Sequence, residues 1–243
     1  MAVHHFQPKH YHSTMGAHEP VLKIADGDSV MTSTVDARGW DYRGESVAGR
    51  GNPMTGPFYV EGAQPGDTLA VRLESMVPSR DWGWTCNILA PNVVDPIAAA
   101  ALPPIDIVRW SVDAEQGSVV LEKPTSGLAG LKLEARPFLG CFGVAPPKDQ
   151  VISTATSGEY GGNMDNKGLV AGVTVYFPVF AEGALFYLGG RACCSRLRGN
   201  CGHRCGNFAR RPFHCSGMEG ENDRLAARRI GHALVLHRQR EAA

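Results

Sequence analysis

A mainly β, sandwich-like fold is what this sequence predicts, and three observations carry the prediction. Short apolar runs recur at close spacing, separated by Gly and Pro. Several alternate apolar and polar residues with a period of two, as in Leu69, Val71 and Leu73. No long segment with a 3.6-residue period appears before residue 190, so helices cannot dominate. A chain of 243 residues with 43% hydrophobic residues is long and apolar enough to bury a sizeable core.

The segment "VLKIADGDSVMTSTVDA" (21–37) reads as a hairpin that turns at Asp26-Gly27-Asp28. "GPFYVEGAQPGDTLAVRLESMV" (56–77) repeats the device, with Pro65-Gly66-Asp67 as its turn. "VRWSV", "GSVVLEK" and "LKLEARPFLG" continue as short strands between residues 108 and 140. The stretch "FYVEGAQPGD" (58–67) is echoed by "VFAEGALFYLG" (179–189). Each is an apolar strand running into Glu-Gly-Ala, which points to a duplicated β unit.

Zero net charge conceals two unlike halves. Residues 1–190 carry 13 Lys and Arg against 20 Asp and Glu, a net of −7. Residues 191–243 carry 11 Arg, no Lys and 4 Asp and Glu, a net of +7. This tail also holds five of the seven cysteines and no apolar period. A basic tail suggests nucleic acid, but Arg without Lys is a common product of GC-rich DNA read in the wrong frame, so no nucleic-acid partner is expected. Cys86 and Cys141, alone in the body, point to a reducing compartment without a disulfide framework. No run approaches the length of a membrane span, and "MAVHHFQPKHYHS" does not read as a secretory signal, so the expected location is cytoplasmic.

Four motifs in order, "MTGPFYVEGAQPGDTLAV", "RPFLGCFGVAPP", "STATSGEYGGNMDN" and "YFPVFAEGALFYLG", resemble the acetamidase/formamidase family, over roughly residues 10–189. The resemblance implies a β-sandwich-rich fold and hydrolysis of a small linear amide to ammonia and a carboxylate. It also implies a divalent metal, zinc in the first instance, and a homo-oligomer in the full-length form. The domain reading is therefore a family-like unit over 1–189 and an unrelated tail over 190–243, disordered or poorly packed.

The family continues after its "VEGALF" strand with a motif of the type "GDGHAAQGDGE", and this chain departs there. Synonymous codons for residues 190–209, read one base later, spell "DGHAAQGYGEIAGTAAETS". The same shift turns "RLAARRIGH" (224–232) into "GWPRVESD", like a C-terminal family segment. One extra base near Gly190 accounts for both. The competing reading is a non-enzymatic product, either an inactive truncated homologue or a basic Cys- and Arg-rich binding module.

Amide hydrolysis needs an activated water, a polariser for the carbonyl and a proton for the departing ammonia. Glu159, Asn163 and Asp165 lie on a glycine-rich loop where a substrate or a backbone can approach closely, and they are the catalytic candidates together with Glu61 at a strand end. The alternative for Asn163, Asp165 and Asn166 is that they are turn residues bonding their own backbone. Asp36, His12 and Glu182 are the candidate metal ligands: Asp36 as a ligand or an Asx turn, His12 because it alternates with His10 in "KHYHSTMG", and Glu182 because it echoes Glu61. Cys141 reads as a buried inert thiol. Cys201, His203, Cys205, His214 and Cys215 match no regular zinc-finger spacing. A short helix over 222–230 is compatible with composition.

Overall fold

The structure, a computed structural model, describes residues 2–86, 95–101, 104, 106–192 and 213–218. In chain order the strands begin with β1 (Val3–Phe6), β2 (Thr14–Met15), β3 (Leu22–Ile24), β4 (Ser29–Thr32), β5 (Met54–Val60) and β6 (Thr68–Leu73). They continue with β7 (Trp82–Cys86), β8 (Ile107–Asp113), β9 (Ser118–Leu121), β10 (Lys132–Glu134), β11 (Phe138–Gly143) and β12 (Ile152–Ser153). The last are β13 (Ser157–Gly158), β14 (Gly161–Asn163), β15 (Thr174–Pro178), β16 (Phe186–Ala192) and β17 (Phe213–Met218). The α-helix among the described residues is a single short turn, α1 (Pro96–Ala100).

Two sheets make the sandwich. One has the order β1-β4-β17-β6-β15 and the other β13-β14-β11-β16-β5-β3. A single apolar cluster joins them, with Val30, Leu69, Val71 and Phe177 from the first and Ile24, Phe58, Phe142 and Phe186 from the second. The Phe142 ring meets Phe177 edge-on at 5.4 Å and 84°. Such a pair contributes about 0.5–1.5 kcal/mol beyond its buried area. The predicted mainly β sandwich is the observed architecture.

The two predicted hairpins are not hairpins. β3 pairs with β5 in one sheet, while β4 pairs with β1 in the other. β5 and β6 are likewise divided between sheets. Gly27, at φ 83, and Gly66, at φ 103, therefore turn corners between the layers. Neighbours in sequence do pair in the meander at 82–134, in the four-stranded order β10-β9-β8-β7, and in the short β13-β14 pair. The meander has its own small core of Trp110, Val112 and Val119.

The Glu-Gly-Ala echo has a structural counterpart. The 61–67 connection leads from β5 to β6, and the 179–185 connection leads from β15 to β16. β5 pairs with β16 and β6 with β15, both antiparallel, so the two units face each other about a pseudo-twofold axis. Their connections are hydrogen-bonded together: Val60 N–H donates to Gly183 O at 2.9 Å, and Gly183 N–H to Ala63 O at 2.8 Å.

Within the tail, β17 lies between β4 and β6 and pairs antiparallel with both. Backbone groups alone define this pairing, so it needs no apolar period in the sequence. Residues 193–212 and 219–243, including Cys201, His203, Cys205 and the 222–230 helix, lie outside the described residues.

Candidate functional site

A transverse row across the six-stranded sheet organises the candidates. Asn163 on β14 pairs with Cys141 on β11, which pairs with Gly189 on β16, which pairs with Met54 on β5. Met54 in turn forms a bridge with His12, with N···O distances of 2.8 and 2.9 Å. Asn163 and His12 therefore belong to one row, four strand spacings apart, or roughly 19 Å at about 4.8 Å each.

His12 is the member with distinctive surroundings. Its ring stacks on His18 with centroids 4.3 Å apart, and both rings meet Tyr187 in T-shaped contacts at 6.1 and 6.2 Å. Burial, followed by the neighbouring His18 and His10, holds His12 below the usual imidazole range. His18 Nε2 is 2.9 Å from Thr14 Oγ1. Tyr187 is fully buried and donates its phenol proton to Gly16 O at 2.6 Å; burial pushes its ionisation well above the usual value. The arrangement gives a rigid floor and a pair of imidazoles suited to proton transfer.

The glycine-rich loop is close-packed for structural reasons. A Cβ on Gly161, at φ 92, would meet Phe142 O at 2.5 Å and Phe177 Cε1 at 2.7 Å. Gly161 thus lets β14 lie against β11. Glu159 is exposed at the turn between β13 and β14. Asn163 donates its backbone N–H to Thr156 O at 2.8 Å. Asp165 has φ 44, and its N–H donates to Gly140 O at 2.9 Å. A Cβ on Gly140 would come within 2.6 Å of Asp165 Oδ1, so that glycine admits the carboxylate. Asn166 is a turn residue, its Oδ1 accepting Gly168 N–H at 2.8 Å.

Glu61 does not share a pocket with these residues. It follows Val60 at the other end of β5 from Met54, seven residues on, or roughly 23 Å at about 3.3 Å per residue. Its companion there is Glu182, whose Oε1 accepts the Tyr59 phenol at 2.7 Å. That bond, then desolvation and the charges of Glu182 and Glu61, raises the Tyr59 ionisation. The four catalytic candidates therefore fall into two groups, because β5 carries its ends to opposite ends of the sandwich.

Asp36 is placed where a metal ligand has no free lone pairs. Its Oδ1 accepts the N–H groups of Arg38 at 2.9 Å and Trp40 at 3.0 Å. Its Oδ2 accepts Arg80 at 2.8 Å and Trp84 Nε1 at 2.7 Å. This is the Asx-turn alternative, extended by a buried ion pair. Asp36, His12 and Glu182 do not converge, and among the described residues no group of three or more His, Cys, Asp or Glu could hold a metal ion. The described residues by themselves do not form a metal centre. Cys141 is buried as expected, with its thiol donating to Thr154 O at 3.2 Å.

Sequence reasoning missed His18, Tyr187 and the cleft beside Tyr11. His18 stands six residues from His12, a spacing with no ligand pattern, and Tyr187 reads as one more apolar strand residue in "LFYLG". The cleft, about 240 Å³, is lined by Lys9, Tyr11, Thr34, Asp41, Arg43 and Ser79 among others. Its residues come from four separate segments, so no local motif marks it.

Comparison with known proteins adds the family context. The family model described as the Acetamidase/Formamidase family matches residues 18–158, more than half of the chain. A Schizosaccharomyces pombe protein provisionally described as a formamidase is 23% identical over 225 residues, covering 68% of this chain and 53% of its own length. The chain thus spans about half of that curated relative. Among solved structures, a Thermoanaerobacter tengcongensis protein provisionally described as an acetamidase/formamidase is 26% identical, with a TM-score of 0.71, over 91% of this chain and 71% of that one. An acetamidase from Bacillus halodurans is 25% identical with a TM-score of 0.65, over 88% of this chain and 70% of that one. An acetamidase from Yersinia enterocolitica is 25% identical with a TM-score of 0.67, over 88% and 66%.

Proposed function

The chain belongs to the acetamidase/formamidase family, and on that premise we propose that it is built to hydrolyse short linear amides, acetamide or formamide, to ammonia and the carboxylate. The observation that carries the reading is the coincidence of the family match with the sandwich whose motifs fall in family order. His12 is the described group best suited to proton transfer: held below the usual imidazole range, it is neutral at ordinary pH and can accept a proton from water. His18, stacked against it, orients the ring and helps to keep it neutral. Asn163 extends the candidate surface along the same row, with Asp165 two residues beyond it bonded to Gly140, whereas Glu61, Glu182 and Asp36 stand outside it.

In this reading the chain as written is impaired. The family-like frame places Asp, His and Glu from "DGHAAQGYGE" immediately after Gly189, the β16 residue in the row with Met54 and His12. Those types are the donors a divalent metal such as zinc uses, and the written frame replaces them. No helix among the described residues is long and apolar enough to cross a membrane, and the proposed substrate is a small amide.

The test is to express the chain as written and a version with one base deleted at the Gly190 codon. Ammonia release from acetamide and formamide is then measured alongside metal content. The repaired frame is expected to gain both together. Equal activity in the two proteins would sink the impairment, and no ammonia from either would sink the amidase reading.

A further inference from the structure

The bend that carries His18 is tied to the sandwich at one buried point. Before it, Thr14 and Met15 pair with Ser153 and Ile152. After it, Val21 N–H donates to Pro57 O at 2.9 Å. Residues 16–20 make no backbone–backbone hydrogen bond with any described residue. Side chains hold the stretch instead: His18 Nε2 lies 2.9 Å from Thr14 Oγ1, and the Tyr187 phenol donates to Gly16 O at 2.6 Å. The first bond stays within one short segment, so of the two it is the phenol that reaches the sheet.

The buried hydroxyl is what needs an explanation. Tyr187 is 0% exposed, and Phe142 and Phe186, also buried in the sandwich, carry no polar side-chain atom. A buried phenol must find a partner or cost free energy. Its acceptor lies not on a neighbouring strand but on the bend, and the His18 backbone also acts on the phenol oxygen. The bend packs closely because residue 16 has no side chain: a Cβ there would stand 3.0 Å from Val151 Cγ2. The ring of the same tyrosine makes the T-shaped contacts to His12 and His18. One side chain thus touches both imidazoles and anchors the chain between them.

We propose that Tyr187 is the positioning residue of the imidazole pair, its hydroxyl fastening the 16–18 bend so that His18 stays stacked on His12. It acts through His18 and touches no reacting atom. The role rests on the reading of His12 as the group that takes a proton from water. A phenylalanine in its place would still fill the floor, but Gly16 O would lose this donor and the bend its tie. The cost would then fall on the orientation of the rings rather than on the core.

Tyr187→Phe is compared with the full chain as written by NMR, with the histidine rings labelled. Cross-relaxation between the His12 and His18 rings should fall by about half or more, because a freed side chain hops between rotamers. Val71→Ala, in the core of the other sheet, should lower stability and leave the ring contacts intact. Ring contacts unchanged in Tyr187→Phe would reduce the tyrosine to a core residue and overturn the proposal; so would an equal loss in Val71→Ala. In the version with one base deleted at the Gly190 codon, Tyr187→Phe should lower kcat for acetamide at least about tenfold with little change in KM. A kcat that holds while the ring contacts loosen would overturn the role as well. Loosened rings with no ammonia from any version would keep the tie between Tyr187 and His18 and remove the amidase reading.

Discussion

The Asp36 carboxylate receives the Arg80 guanidinium at 2.8 Å, with the two side chains 0% and 1% exposed. The pair ties the 36–41 loop to the start of the 82–134 meander, and Trp84 and Arg38 close over it. Removing one partner leaves the other charged and buried, which costs about 3–5 kcal/mol. Asp36→Ala should therefore lower stability by that order in urea unfolding, with no change in metal content. A loss below about 1 kcal/mol together with lost metal would return Asp36 to the ligands.

Asp28 sets an acid limit. It accepts Ala2 N–H at 2.6 Å and His4 Nε2 at 2.8 Å, and these bonds lower its ionisation to about 2. A carboxylate whose folded value lies below its unfolded value of about 3.9 stabilises the fold above that value. The contribution is lost as pH falls from about 4 towards 2. Asp28→Asn should flatten the loss of melting temperature across that window. An unchanged slope would show that the bonds are not made in solution.

His12 gives a spectroscopic check on the imidazole pair. Its ring resonances should titrate below the ordinary imidazole value of about 6.5, because burial dominates and His18 and His10 add to it. His18→Gln should move the midpoint upward but not to the free value, since the burial remains. A midpoint indifferent to His18→Gln would show that the rings do not stack.

Gly161→Ala tests the glycine-rich loop. The added methyl would press on Phe142 O and on the Phe177 ring, from a backbone at φ 92 that L-residues avoid. A loss of about 2 kcal/mol or more is expected from strain and overpacking combined, read as a lower urea midpoint. Gly172→Ala, at φ 91 but with nothing within 4 Å, isolates the backbone part and should cost less.

Much of the fold was legible. Leu69, Val71 and Leu73 alternate as sequence and are all buried in β6. The Glu-Gly-Ala echo also pointed to a true neighbour relation, since Glu61 and Glu182 act on the same Tyr59. Gly27 and Gly66 showed that the chain turns, but a turn residue does not say whether the next strand rejoins the same sheet. β11 escaped the alternation test because all six of its residues are buried. Asp36 was legible as an Asx turn, but Arg80 and Trp84 lie 44 and 48 residues away, beyond any local pattern. The cleft was invisible for the same reason.

The interlocked crossings bear on how the chain is made. Phe58 on β5 waits for Phe186, 128 positions later, and Val71 on β6 waits for Val175. Ser29 on β4 waits longer still, for His214. A nascent chain that has emerged only as far as residue 170 holds β5 without β16 on one side and β6 without either of its neighbours, β15 and β17. Contacts this distant in sequence make folding slow and leave apolar strands exposed meanwhile. The sandwich can close only after its second half leaves the ribosome, and neither half is equipped to stand in for the other.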